Sequence, residues 1–415
     1  MEYKDFIETR IEEKKSFNFV SLFSGAGLGD YGLSLAGGRC LGACEIDPSR
    51  ASVHKANIKA PIWGNIRTEK GGLIDYLEGI NIDLMIATPP CQSFSTANAK
   101  RGLREDPEHA DRDSRNHLFF EALSIAREIK PKIVFFENVP NFLERKIKAE
   151  NGKVTGRVRE FISASLNDYV EWSGVVCFSN LGLPQRRKRS IAIFIRRDLL
   201  DNDAHVFPLE LIPFNWPSCP KAIPNTIIDV LGDLPALDSI DSSKAVCTRD
   251  ALHQVPVASP THYAWISSIP SGSNKSAWEN ACLDCGHDVE VGAIKCGKCG
   301  SILFNRPHVV EEDGKVRLIK GFKTSYKRMP ADDIAPTITT ASGSFSSDLK
   351  LHPTQNRVLS VRECARLQAI PDHFIWPAEL LNKKGHKFRE MIGEAVPPII
   401  SFRLGKAIAK ILLED

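Results

Sequence analysis

The chain has no run of about eighteen apolar residues, the length a membrane-crossing helix needs, so no spanning segment is expected. Its opening, Met1-Glu2-Tyr3-Lys4-Asp5, lacks the apolar core of a secretory signal and points to a cytoplasmic protein. Neither sign of charge dominates: 54 Lys and Arg face 51 Asp and Glu, a net charge of +3. Overall charge therefore names no partner, and any nucleic-acid contact must come from local basic clusters. Internal repeats and long low-complexity segments are also absent. Eleven cysteines without a secretory signal argue against a disulfide framework and for metal or catalytic use.

What is present fits a soluble globular chain. Its 415 residues, 42% hydrophobic and 25% charged, suffice for a large core and for two domains. Residues 1–17 suit a short amphipathic helix leading into Asn18-Phe19-Val20-Ser21-Leu22-Phe23, a buried strand. The turn Ser24-Gly25-Ala26-Gly27-Leu28-Gly29 and a helix to about Ala36 follow. Strand, glycine turn and helix open a doubly wound, Rossmann-like α/β domain. Further strands are expected around Cys40–Cys44, before Ile66, over Ile82–Ala87, at Ile133–Phe136 and at Ile191–Ile195. From about Arg197 prolines and polar turns displace periodicity, so residues 198–355 read as a smaller, irregular second domain. Helical pattern returns from about Leu359, and a last helix starts near Pro398, so that 1–197 and 356–415 are the regular stretches on either side of it.

Strand ends at one edge of such a sheet converge on one crevice, which gathers residues distant in sequence. The glycine turn, Glu45, Asn65, Cys91 and Glu137 all fall there. Glu45 ends the second strand, where a carboxylate can accept both ribose hydroxyls. Pro89-Pro90 ends the strand before Cys91 and stiffens the turn that presents it. Taken alone, Cys91 reads equally as a nucleophile or as an inert buried thiol.

In chain order stand Phe23-Ser24-Gly25-Ala26-Gly27-Leu28-Gly29, Glu45-Ile46-Asp47, Pro89-Pro90-Cys91-Gln92, Glu137-Asn138-Val139, Gln185-x-Arg187-x-Arg189, Arg362-Glu363-Cys364-Ala365-Arg366-Leu367-Gln368 and Gly393-x-Ala395-Val396-Pro397. This series resembles the DNA (cytosine-5) methyltransferase family, of the prokaryotic restriction-modification type. The resemblance covers 18–197 and 356–415 and implies an S-adenosylmethionine-dependent catalytic domain, with a target recognition domain at 198–355. It implies that Cys91, with Gln92 beside it, adds to carbon 6 of cytosine, and that Glu137 holds or protonates ring nitrogen 3. Arg187 and Arg189 would bring positive charge to the ring oxygen, the thiolate or nearby phosphates. Around the cofactor the resemblance places Phe23, Ser24, Gly25, Gly27, Leu28, Glu45, Ile46, Asn65, Pro90, Glu394, Ala395 and Val396. Asn65 stands where the family usually has Asp, and Glu394 where it usually has Asn.

Double-stranded DNA is the implied partner, with the target base flipped out of the stack. Lys100, Arg101, Arg104 and Arg112 become candidate phosphate contacts, or members of an ordinary charged loop. A separate cognate endonuclease, a monomeric state and association with the nucleoid complete the expectation. An RNA (tRNA) methyltransferase and an inactive DNA-binding homologue are the alternatives; retention of Cys91, Glu137, Arg187 and Arg189 speaks against the second. Cys282-x2-Cys285 and Cys296-x2-Cys299, each followed by glycine, fit a zinc ribbon at about 280–301. Four thiolates leave no open ligand position, so the zinc would be structural; paired redox disulfides are the competing reading.

Overall fold

The structure, a computed structural model, describes residues 3–11, 15–90, 113–149, 154–200, 206–214, 225–319, 324–347, 349–381 and 385–413. Its centre is a sheet of β1 (Phe17–Leu22), β2 (Gly38–Cys44), β3 (Ile62–Trp63), β4 (Leu84–Ala87), β5 (Ile133–Asn138), β6 (Tyr169–Cys177) and β7 (Lys188–Arg196). The strand order is β3-β2-β1-β4-β5-β7-β6. The first five run parallel, and β7 is antiparallel to both its neighbours.

Helices cover both faces: α1 (Tyr3–Glu8), α2 (Leu28–Leu35), α3 (Pro48–Asn57), α4 (Ile66–Leu77), α5 (Leu118–Ile129), α6 (Val361–Leu367), α7 (His386–Glu394) and α8 (Pro398–Leu413). Successive strand residues point to opposite faces, and both faces are dry. Phe19, Ile86, Phe135 and Ile193 enter one core with α1, α2, α6 and α8. Val20, Met85, Val134 and Phe194 enter the other with α4 and α5. A parallel sheet buried on two sides therefore reads as unbroken apolar runs rather than as alternation. The short α1 is part of this packing, with Phe6 against Phe402 and the Tyr3 hydroxyl donating to the Arg366 carbonyl at 2.7 Å.

The chain after residue 198 still packs on the core of the sheet. Phe207, Leu211, Phe214, Ile227, Val230, Leu231 and Leu252 join the main core, because their apolar side chains share it with α6 and α8. A separate cluster runs from Ala258 through Trp265, Ile269, Trp278 and Tyr326 to Leu351 and Val358. Strands are short there, and buried arginines supply the order that ladders supply elsewhere. Arg306 donates to the carbonyls of Asn280, Val289, Glu290 and Ala293. Arg328 does the same for Ile266, Ile269, His352 and Gln355. Turn carbonyls removed from water need such donors. No described helix is long and apolar enough to cross a membrane.

Candidate active site

The carboxyl ends of β1, β2, β4 and β5 meet at one edge, and the chain enters β7 there. After β1 the backbone turns sharply: Phe23, Gly25 and Gly27 all have positive φ, at 60°, 56° and 76°. Two conditions require glycine at 27, the left-handed φ and the ring of His54, whose Cδ2 would lie 2.6 Å from an added Cβ. His54 is fully buried on α3 and bonds Asp30 at 2.8 Å, which accepts from Ser21 at 2.7 Å. The turn thus rests on a buried polar chain linking β1, α2 and α3.

Gly25 faces open space, with no atom within 4 Å of where a Cβ would sit. Its N–H donates to Glu45 Oε2 at 2.8 Å, and the Asp47 N–H donates to Oε1 at 2.8 Å. Both carboxylate oxygens are fixed, each with a lone pair to spare. Burial pushes the Glu45 carboxyl up, while the Asp47 N–H, the Arg50 charge and the Gly25 N–H pull it back. Ile46 beside it is 70% exposed, an apolar face turned to the cleft rather than the core. Backbone cradle, oriented carboxylate and exposed apolar platform match the donors and surfaces of an adenosylated amino acid. Asn65 sits at the N-terminus of α4, its side-chain oxygen accepting from the Arg67 N–H at 3.1 Å. That oxygen is already engaged as a helix cap.

The exit of β4 is tied on two sides. Thr88 bonds back to the carbonyls of Leu22 and Phe23, at 3.2 and 3.0 Å. The buried Asn138 side chain donates to the Pro89 carbonyl at 2.9 Å. Pro90 ends this tethered turn; Cys91, Gln92 and the Lys100, Arg101, Arg104 and Arg112 cluster lie outside the described residues.

Glu137 comes from β5 opposite Ile191 of β7, so Arg189, two residues along β7, is its diagonal neighbour on the same face. Arg189 Nε lies 3.1 Å from Glu137 Oε1, with the two side chains 13% and 5% exposed. Burial dominates and raises the Glu137 carboxyl, even against the charges of Arg189 and Arg187. A carboxyl placed in this way keeps its proton to higher pH than a solvated one.

Arg187, expected with Arg189 to bring positive charge to the ring oxygen, the thiolate or nearby phosphates, is surrounded by backbone carbonyls. It is fully buried, and its guanidinium donates to the carbonyls of Ile338, Gly393 and Ala395 at 3.3, 2.9 and 2.9 Å. Gln185 donates to the Leu367 carbonyl at 2.8 Å, and Gln368 to the Ala395 carbonyl at 3.0 Å. The basic motif therefore sews the C-terminal segment onto the sheet, which brings Glu394, Ala395 and Val396 to the cleft. Val396 packs against the Gly29 position of the glycine turn. Asn138, Gln185 and Gln368 stand inside quoted motifs but carry no sequence signal for their clamping role. Arg50 pairs with Glu394 at 2.7 Å and lies outside every motif.

The four ribbon cysteines converge, with all sulfurs within 4.8 Å of one another. The knuckles repeat one geometry: the Gly286 N–H bonds the Cys282 carbonyl and the Gly300 N–H the Cys296 carbonyl, each at 2.9 Å. The described cysteines are free thiols.

A doubly wound sheet closed by an antiparallel β7, with a glycine turn and an oriented carboxylate at its parallel edge, defines the α/β fold of S-adenosylmethionine-dependent methyltransferases. The chain belongs to the C-5 cytosine-specific DNA methylases, whose family model matches residues 17–410. Its reaction is accordingly methylation of DNA cytosine at carbon 5, with S-adenosylmethionine as donor. It is 28% identical over 404 residues to the Type II methyltransferase M1.HgaI of Avibacterium volantium, covering 93% of this chain and 96% of that one. With M.XorII of Xanthomonas oryzae it shares 29% over 408 residues, 95% and 84% of the two chains. In solved structures the fold is similar to an E. coli prophage protein described as a DNA modification methyltransferase, with TM-score 0.59, 21% identity and coverage of 96% and 100%. The S. pombe Dnmt2 methyltransferase superposes with TM-score 0.55 at 14% identity, over 96% and 98% of the chains.

Proposed function

We propose that the protein methylates one cytosine within a short sequence of double-stranded DNA as the modification half of a restriction system. The buried Glu137–Arg189 pair, facing the same edge as the cofactor turn and the Pro89-Pro90 exit, carries this reading. The Type II methyltransferases among its relatives support it. Bound S-adenosylmethionine supplies an electrophilic methyl group. Phe23 to Leu28, Glu45, Ile46, Asn65, Pro90 and Glu394 to Val396 form its surroundings, with Glu45 taking the ribose hydroxyls.

With the target base flipped into the cleft, the Cys91 thiolate forms a bond to carbon 6, and the displaced π pair makes carbon 5 nucleophilic. Glu137, whose carboxyl burial raises, faces ring nitrogen 3 and in its protonated form donates to it, stabilising the charge gathered by the ring. Arg189 fixes the Glu137 carboxyl at the angle this donation needs. Carbon 5 takes the methyl group as its bond to the sulfonium sulfur breaks, which would leave S-adenosylhomocysteine; a base then removes the carbon 5 proton, and the released pair expels Cys91 from carbon 6. Arg187 acts at one remove, by holding the wall of the cleft. Residues 258–358 form the body of the recognition domain, narrower than the 198–355 of the sequence reading. Cys282, Cys285, Cys296 and Cys299 hold a structural zinc there, since four thiolates at mutual contact suit a closed tetrahedral site. The protein acts as a cytoplasmic monomer on nucleoid DNA, beside an independent endonuclease.

Bisulfite sequencing of DNA from cells expressing the protein, beside cells expressing Cys91→Ala, tests the reading. A sequence-specific methylated pattern present only with the unaltered protein is expected. Identical patterns in both would overturn it.

A further inference from the structure

Glu394 is the last residue of α7, and its backbone cannot drift. Arg187 grips the carbonyls on either side of it, and Gln368 adds a second bond to Ala395. From this fixed base the carboxylate meets Arg50 Nη2 at 2.7 Å. Arg50 lies in the first turn of α3, its backbone N–H accepted by the Asp47 cap at 3.0 Å. The Arg50 charge also acts on Glu45, five residues earlier. Arg50 therefore stands between two carboxylates with different tasks. Arg115 is another cation whose field involves Glu394, and its guanidinium also bonds Asp113 at 2.9 and 2.8 Å.

Glu45 has about four acceptor positions, of which the Gly25 and Asp47 N–H groups use one on each oxygen. The remaining two are what a ribose diol requires. They are also what a bidentate guanidinium would take. We propose that Glu394 is a positioning residue that holds Arg50 away from Glu45 and so leaves the Glu45 carboxylate open to the cofactor ribose. A neutral side chain at 394 would free Arg50 for the Glu45 carboxylate, on which its charge already acts, and the ribose would then have to displace an ion pair. The carboxylate at this position thus compensates for an arginine on α3. The inference rests on Glu45 as the ribose ligand.

The test is calorimetric binding of S-adenosylhomocysteine to the full chain, with thermal melting as the folding control. Glu394→Gln should weaken binding about tenfold. Arg50→Gln should bind within about twofold of the unaltered protein, and Arg50→Gln combined with Glu394→Gln should bind several-fold more tightly than Glu394→Gln alone, because no guanidinium is left to compete. Restoration by a second loss of charge is an outcome that a merely structural ion pair would not give. Unchanged binding by Glu394→Gln, or a double variant as weak as the single, overturns the proposal. If Glu45→Gln binds as well as the unaltered chain, the ribose assignment itself falls, and the inference with it.

Discussion

Replacing Arg357 by Met should destabilise the protein by about 3–5 kcal/mol at neutral pH, a large part of the roughly 5–15 kcal/mol that holds a domain. Arg357 and Glu363 are 0% and 1% exposed and bonded twice, each contact 2.7 Å. They join the segment that precedes α6 to its first turn, where Glu363 also accepts the Ser360 N–H at 2.7 Å. Burial alone would raise the Glu363 carboxyl; the charge and bonds of Arg357, with His352 and Ser360, hold it well below the usual range. Methionine fills the space but strands that carboxylate. His352 lies 3.6 Å from Glu363, and burial pushes its pKa down to about 4 in the unaltered protein. In the unaltered protein the depressed Glu363 contributes stability present above its unfolded value, about 4.3, and lost as the pH falls. In the variant the folded value moves above the unfolded one, so the penalty is absent at low pH and grows as the pH rises. The difference between the two proteins should therefore widen from about pH 4 to pH 7. Urea unfolding followed by tryptophan fluorescence measures it. Adding Glu363→Gln to Arg357→Met should recover part of the loss. A loss under about 1 kcal/mol at pH 7, or one independent of pH, would refute the reasoning.

Glu137→Gln should lower single-turnover methylation about 10²–10³-fold while leaving cofactor affinity within about twofold, because the amide cannot pass a proton to the ring. An equal fall in both would contradict the assignment. Gly27→Ala combines a left-handed φ with a ring 2.6 Å away, so it should cost about 1–3 kcal/mol and weaken cofactor binding, read by melting and calorimetry. Purified protein should contain one zinc per chain by elemental analysis. Cys296→Ser should lose it and expose residues 280–306 to protease while cofactor binding persists; metal-free protein with an intact ribbon would end that idea.

The division between what sequence showed and what it hid follows from the range of the forces involved. β5 and α5 could be read directly, since local apolar pattern and a buried face decide them. Glu45 and Glu137 could be placed on one edge because parallel strands deliver their carboxyl ends together. Arg187 could not be distinguished from Arg189 in this way. The two are alike in type and two residues apart, yet Arg189 faces a carboxylate while Arg187 is enclosed by carbonyls from residues 338, 393 and 395. Only the return of residues 338 and 393–395 to the sheet separates their surroundings. The same holds for Phe207 and Leu252, which look like members of an irregular region until α6 and α8 supply the surface they cover. Glu394 is the sharpest case. Against the family pattern it is an anomaly, and the feature that makes sense of it, Arg50, lies some 340 residues earlier on a helix whose own sequence gives no hint of a partner. A departure from a motif is thus better evidence of a compensating contact than of a lost function, provided the backbone around it stays pinned. Here Arg187 and Gln368 pin it.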